Sequence, residues 1–96
     1  MNPNIDIIDE ELFYESGITS LVVPKSVKRI EYAAFKGCHS LEKITLHEGI
    51  EYIGPLAFDE CINLKSLEIP HSVKEIDSTA LLFCSNLEFI KCNASI

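Results

Sequence analysis

The feature that most constrains this chain is a repeat of 23 residues. Three full copies occupy residues 18–40, 41–63 and 64–86, a half copy follows over residues 87–96, and residues 1–17 precede them. A unit of this size cannot bury its own apolar face, so successive copies must stack on one another. We therefore predict that residues 1–96 form one domain built by stacking.

The copies share apolar columns, which we predict to form the core. Four columns are apolar in every copy: Ile18, Leu41, Leu64, Leu87; Leu21, Ile44, Leu67, Ile90; Val23, Leu46, Ile69, Cys92; and Val27, Ile50, Val73, Ile96. Four further columns recur in the full copies: Ile30, Ile53, Ile76; Ala34, Ala57, Ala80; Phe35, Phe58, Leu81; and Cys38, Cys61, Cys84.

Each copy is predicted to begin with a short strand, because apolar residues alternate there, and Pro24 and Pro70 then end it. A Val-x-x-Ile segment predicts a second extended piece, and Ala-Phe-x-x-Cys predicts a short helix, a 3₁₀ turn or coil. One period earlier, Ile7 falls under Ile30 and Leu12 under Phe35, with Glu15 in the cysteine column. Residues 1–17 are therefore expected to form a half-repeat N-terminal cap.

This pattern resembles leucine-rich repeats, most closely the BspA-like class, L-x-x-I-x-I-P-x-x-V-x-x-I-x-x-x-A-F-x-x-C-x-x. His47 replaces the proline in the second copy, and Leu81 replaces the phenylalanine in the third. The resemblance implies a solenoid of the α/β or mainly β class, with short parallel strands on one face and turns and short helical segments behind. It also implies about 3.5 repeats after the cap and a bacterial, protein-binding scaffold without a cofactor.

Charge patterning supports the same register. In-register parallel strands place residues one period apart at about 4.8 Å, where like charges are unfavourable. Charges alternate in sign along four columns: Glu42, Lys65, Glu88; Lys28, Glu51, Lys74; Lys36, Asp59; and Glu68, Lys91. No column places like charges in adjacent copies, which favours stacking in register.

Composition restricts the partners. The net charge is -7, and residues 1–17 hold five acids without a base, which leaves ten acids and eight bases elsewhere. No basic patch could bind nucleic acid or an anionic membrane, and no apolar run could span a bilayer. The start, MNPNIDIIDEEL, does not resemble a signal peptide. We expect a cytoplasmic protein, or one whose leader lies outside this chain.

Two groups of residues could carry chemistry. Cys38 stands beside His39, but the cysteine recurs in every full copy while the histidine does not, so we interpret these thiols as reduced core residues. His47, Glu48 and His71 would meet at the strand exits and are a candidate metal site, although they are too few for a closed site and solvated turn residues are the alternative. No catalytic motif occurs, so we expect no enzyme.

Two surfaces could bind a partner. The outward side of the first strands presents Val22, Thr45, Glu68, Phe89 and Lys91, with plain scaffold surface as the alternative. At the C-terminal edge no further copy covers the half copy, which leaves a self-association edge of Leu87, Ile90, Cys92 and Ile96, with Leu82 and Phe83 nearby.

These features lead to two hypotheses of function. The first is a protein-interaction module that forms a homodimer through its C-terminal edge. The second is a spacer or fragment of a longer repeat protein, and for a fragment we would expect a cell-surface location. The sequence leaves the identity of any protein partner open.

Overall fold

The structure, a computed structural model that describes residues 2 and 4–95, is a solenoid of short parallel strands. The strands are β1 (Ile7–Ile8), β2 (Ser20–Val22), β3 (Arg29–Ile30), β4 (Lys43–Thr45), β5 (Tyr52–Ile53), β6 (Ser66–Ile69), β7 (Glu75–Ile76) and β8 (Phe89–Cys92). The odd-numbered strands form one continuous back sheet in the order β1-β3-β5-β7. The even-numbered strands form the front, which is divided into the pairs β2-β4 and β6-β8.

The strands pair at the predicted period. Ser20 pairs with Lys43, Arg29 with Tyr52, and Ser66 with Phe89, all in parallel and all 23 residues apart. The apolar columns face inward between the two layers, and in the second copy all of their members except the half-buried Leu46 are almost completely buried. The predicted leucine-rich repeat solenoid is therefore confirmed, including its short parallel strands.

The predicted helical segments do not occur among the described residues, where turns take their place. The N–H of Phe35 donates to Ala57 of the next copy, and the N–H of Phe58 donates to Ala80, both at 2.8 Å. These amides are therefore not available for bonds within a helix. Leu56 and Glu60 also adopt positive φ angles of 55° and 60°, which end any helical turn.

A stack of phenylalanine rings runs through the back of the core. The rings of Phe13 and Phe35 lie 5.1 Å apart and almost parallel, and those of Phe35 and Phe58 lie 5.2 Å apart. Phe35 and Phe58 are fully buried, which stabilises each by about 1.5–3 kcal/mol relative to an exposed side chain. Leu81 occupies the next position, so the aromatic stack ends before the last copy.

The cap pairs one residue away from the predicted register. Ile8, not Ile7, pairs with Ile30, and Phe13, not Leu12, stacks on Phe35. The predicted register was therefore wrong by one residue. A shift of one residue turns every side chain of a strand to the opposite face. The observed pairing buries Ile8 completely, and the exposed residue is Leu12. The same shift removes Glu15 from the cysteine column.

The front layer opens between the second and third copies. Strands β4 and β6 lie side by side but are not paired, whereas β2-β4 and β6-β8 are. A cavity of about 310 Å³ occupies this opening, lined by Lys43, Ile44, Thr45, Leu46, Ser66 and Glu68. In-register pairing therefore continues through the whole back sheet but is interrupted once on the front.

Candidate interaction surfaces

The front strands bring the predicted front surface together in two halves. Val22 lies opposite Thr45, and Glu68 lies opposite Lys91, with 3.9 Å between the Glu68 carboxylate and the Lys91 ammonium group. Phe89 extends beside Lys91 with 64% of its surface exposed. The opening between β4 and β6 separates Thr45 from Glu68, so these five residues do not form one uninterrupted column.

The end of the solenoid that carries β8 exposes apolar side chains. Ile90 is 45% exposed, whereas its counterparts Ile44 and Leu67 are 6% and 2% exposed. Phe83 is 66% exposed and Leu82 41%. We call Leu82, Phe83, Phe89, Ile90 and Cys92 the C-terminal end; Leu87 is half-buried beneath it, and Ile96 lies outside the described residues.

The outer edge of β8 is a strand edge without a neighbour among the described residues. Inside the stack, the N–H of Val23 donates to the carbonyl of Thr45 in the following copy at 2.9 Å. The residues of β8 that correspond to Leu21 and Val23 are Ile90 and Cys92. Because backbone groups alternate between the two sides of a strand, the N–H and C=O groups of Ile90 and Cys92 face the open edge.

Phe83 combines exposure with an unusual backbone. Its φ is 56°, in the left-handed region that disfavours side chains with a Cβ atom. The equivalent residues of the earlier copies, Gly37 and Glu60, have φ angles of 73° and 60°, so the repeat itself imposes this conformation. Glycine or a polar residue suits an exposed left-handed position, and a ring that is 66% exposed buries little of its surface in packing. The glycine in this column was the sequence signal for the conformation.

The cysteine column is structural in its geometry. The thiols of Cys38, Cys61 and Cys84 donate to the carbonyls of Phe13, Phe35 and Phe58 at 3.0–3.1 Å. The hydrogen bond with Cys38 and burial together raise the pKa of the Cys61 thiol, and burial raises the pKa of Cys84 to about 11. His39 is exposed, whereas Cys38 is fully buried. The repeated thiol thus links copies instead of pairing with the adjacent imidazole.

The predicted metal candidates are only partly brought together. His71 Nδ1 lies 3.6 Å from Glu48 Oε2, and the Glu48 carboxylate accepts hydrogen bonds from the backbone N–H groups of His71 and Ser72. Both carboxylate oxygens therefore hold the next turn in place. Within the described part of the chain, no group of three or more His, Cys, Asp or Glu side chains could bind a metal ion together.

One buried charge was not expected from the sequence. Asp59 is 4% exposed, and its Oδ2 lies 3.7 Å from Nζ of Lys36, the column partner that charge alternation predicted. Its Oδ1 atom has no hydrogen-bond partner among the described residues. An unpaired buried oxygen is unfavourable, so this atom of Asp59 lowers the stability of the back of the second copy.

Comparisons with known proteins agree with this architecture. Residues 6–96 match the family described as BspA type leucine rich repeat region, in six copies. No curated protein matches the chain. No helix in the described part of the chain is long and apolar enough to cross a membrane.

Three solved structures are similar. A leucine-rich repeat protein from Bacteroides capillosus is 36% identical with a TM-score of 0.86, and the match covers 92% of this chain and 63% of that one. The T. pallidum leucine rich repeat protein is 27% identical with a TM-score of 0.70, covering 86% and 50%. A leucine rich cell surface protein from Faecalibacterium prausnitzii is 22% identical with a TM-score of 0.52, covering 81% and 33%, and shows the fold alone. The chain thus spans less than two thirds of each.

Proposed function

Because this chain belongs to the BspA-type leucine-rich repeat family, we propose that it is a non-enzymatic protein-interaction module that binds a second copy of itself through its C-terminal end. The observation that carries the proposal is the exposure of Ile90 at a position that is buried in the second and third copies, where Ile44 and Leu67 occupy it. Apolar patches that remain open on a folded protein mark interaction sites or aggregation-prone surfaces. An open strand edge in the same place adds backbone groups that can pair with another chain.

Charge distribution favours the C-terminal end over the N-terminal cap as the site of contact. Residues 1–17 hold five acids and no base, whereas residues 64–96 hold three lysines and four acids. Two caps brought together would repel each other, whereas two C-terminal ends are close to neutral. A two-fold contact at the C-terminal end therefore keeps the acidic caps at opposite ends of the dimer.

Sedimentation velocity at roughly tens of micromolar tests this proposal. The wild-type chain should sediment as a dimer, and Ile90→Lys should sediment as a monomer, because a lysine would place a charge at the centre of the contact. Val22→Lys is the matched control, since Val22 is also an exposed apolar residue of a front strand but lies in the first copy. A monomeric wild-type chain, or an equal effect of both substitutions, would contradict self-association through this end.

A second function is supported by the lengths of the similar proteins. The chain spans 63% of the Bacteroides capillosus protein and 33% of the Faecalibacterium prausnitzii protein, which is a cell surface protein. In a longer solenoid, a further repeat would cover Ile90 in the way that β8 covers Leu67. Under this alternative the chain is a spacer within a longer, cell-surface repeat protein. It would then be monomeric, and attaching one further repeat after Ile96 would raise its thermal stability.

A further inference from the structure

We propose that two molecules of this protein pair through their β8 strands, which run antiparallel, with Ile90 of one molecule directly opposite Ile90 of the other. This inference rests on the proposed self-association and specifies its geometry. It would join the front pair β6-β8 of each copy into a four-stranded sheet across a two-fold axis.

The hydrogen-bonding phase of β8 restricts the possible registers. In an antiparallel pair, residues directly opposite each other either both point their backbone groups at the partner strand or both point them away. Ile90 and Cys92 point towards the open edge, while Phe89 and Lys91 point towards β6. A two-fold pairing must therefore be centred on one residue, and β8 offers only Phe89, Ile90, Lys91 and Cys92 as centres.

Like charge, an apolar residue facing a carboxylate, and the end of β8 each make one of the other three centres unfavourable. A Lys91 centre would place the two Lys91 residues directly opposite each other, with their Cα atoms about 4.5 Å apart, and their like charges would repel. A Phe89 centre would put the apolar Ile90 opposite the Glu88 carboxylate of the second copy. A Cys92 centre needs strand beyond Cys92, but β8 ends there and Ala94 packs back against the core.

The Ile90 centre brings the apolar residues in the middle of β8 together. It places the two Ile90 side chains against each other on the inner side, where each is now 45% exposed. On the outer side, it places Phe89 opposite Lys91 of the second copy. The ammonium group of Lys91, which lies 3.9 Å from Glu68, could then also approach the Phe89 ring, a favourable cation–π arrangement.

Disulfide trapping tests this register. Four variants are made in a Cys92→Ser background, which removes the exposed native thiol: Ile90→Cys, Phe89→Cys, Lys91→Cys, and the double variant Phe89→Cys with Lys91→Cys. Two cysteines form a disulfide readily only when their Cα atoms lie within about 7 Å. With Ile90 at the centre, positions 90 and 90, and positions 89 and 91, meet this requirement across the interface. Positions 89 and 89, or 91 and 91, do not.

The expected result is an interchain disulfide that forms about tenfold faster in Ile90→Cys and in the double variant than in either other single variant. The double variant retains Ile90, so it tests the register even if Ile90→Cys weakens association. Fastest cross-linking by Phe89→Cys or Lys91→Cys alone would overturn the register but leave self-association intact. A wild-type dimer in which no variant cross-links would show that β8 is not the contact, and a monomeric wild type would overturn both proposals.

Discussion

At the N-terminal end of the solenoid Ile8 is fully buried, whereas at the C-terminal end Ile90 is 45% exposed. Both residues belong to the terminal strand of their layer. The difference lies in the surrounding chain: Ile5 and Phe13 of the cap pack against the core that contains Ile8, while β8 has no comparable cover among the described residues. A repeat that is stable inside a stack therefore becomes a cap or a contact surface depending on what lies beyond it.

The largest expected contrast is between alanine substitutions at these two isoleucines. Ile8→Ala should lower the free energy of unfolding by about 3 kcal/mol, because it leaves a cavity in a closed core, and Ile90→Ala by about 1 kcal/mol or less in the dilute monomer. Urea unfolding at submicromolar concentration measures both. Equal losses would mean that the C-terminal end is as well packed as the cap.

Thiol labelling compares the same two ends without a substitution. Cys92 is exposed at the C-terminal end, and we expect a thiol reagent at pH 8 to label it about 100-fold faster than Cys38, which is buried beneath the cap. Cys84 should be intermediate, since it is half-buried and a pKa of about 11 keeps its thiol protonated. Mass spectrometry of the labelled peptides gives the order. Early labelling of Cys38 would indicate that the cap opens more readily than the C-terminal end.

Phe83→Gly separates folding from association at the C-terminal end. Removing the Cβ atom at φ 56° should raise the stability of the monomer by about 0.5–1 kcal/mol, while loss of the ring should weaken dimerisation. Glu60→Gly is the matched control, because Glu60 has a φ of 60° one copy earlier. It should give a similar gain in stability and leave the sedimentation coefficient unchanged. If Phe83→Gly lowers stability instead, the ring has a packing role.

The smallest expected effect is a change in acid sensitivity at the back of the third copy. Asp77 Oδ1 accepts hydrogen bonds from the N–H and the hydroxyl of Thr79, and these bonds lower the pKa of Asp77. A lowered pKa in the folded state stabilises the protein above the ordinary value of 3.8, and this contribution is lost as the pH falls below it. Asp77→Asn should therefore reduce the melting temperature slightly at pH 7. Between pH 5 and pH 2 the melting temperature of the variant, measured by circular dichroism, should fall less than that of the wild type. If the melting temperatures of the variant and the wild type depend on pH in the same way, Asp77 does not contribute to acid sensitivity.

Most core residues could be predicted because they recur at a fixed spacing along the chain. Columns such as Ile30, Ile53 and Ile76 recur at one spacing, and only in-register stacking buries all of them together. Charge alternation added a second, independent constraint, and the Lys36–Asp59 and Glu68–Lys91 pairs lie within 4 Å as that pattern required. The family and the parallel strands followed from the same columns.

The register of the cap could not be predicted, because its apolar residues come in adjacent pairs. Ile7 precedes Ile8 and Leu12 precedes Phe13, so two registers one residue apart both place an apolar side chain in each column. The ring of Phe13 selects one of them by stacking on Phe35. The opening between β4 and β6 likewise has no counterpart in the column pattern, which is as regular there as elsewhere.

By itself, the sequence determined the repeat length, the inward columns and the alternation of charge, because each depends only on spacing along the chain. The tertiary structure decided which register closes the cap, where the front sheet opens, and that Phe83 holds an aromatic ring on left-handed backbone in solvent. These features depend on the shape and exposure of particular side chains, which periodicity does not encode. The sequence placed the proposed self-association surface at the C-terminal end, and the tertiary structure added which of its side chains are exposed, such as Phe83 and Ile90, and that Leu87 is half-buried.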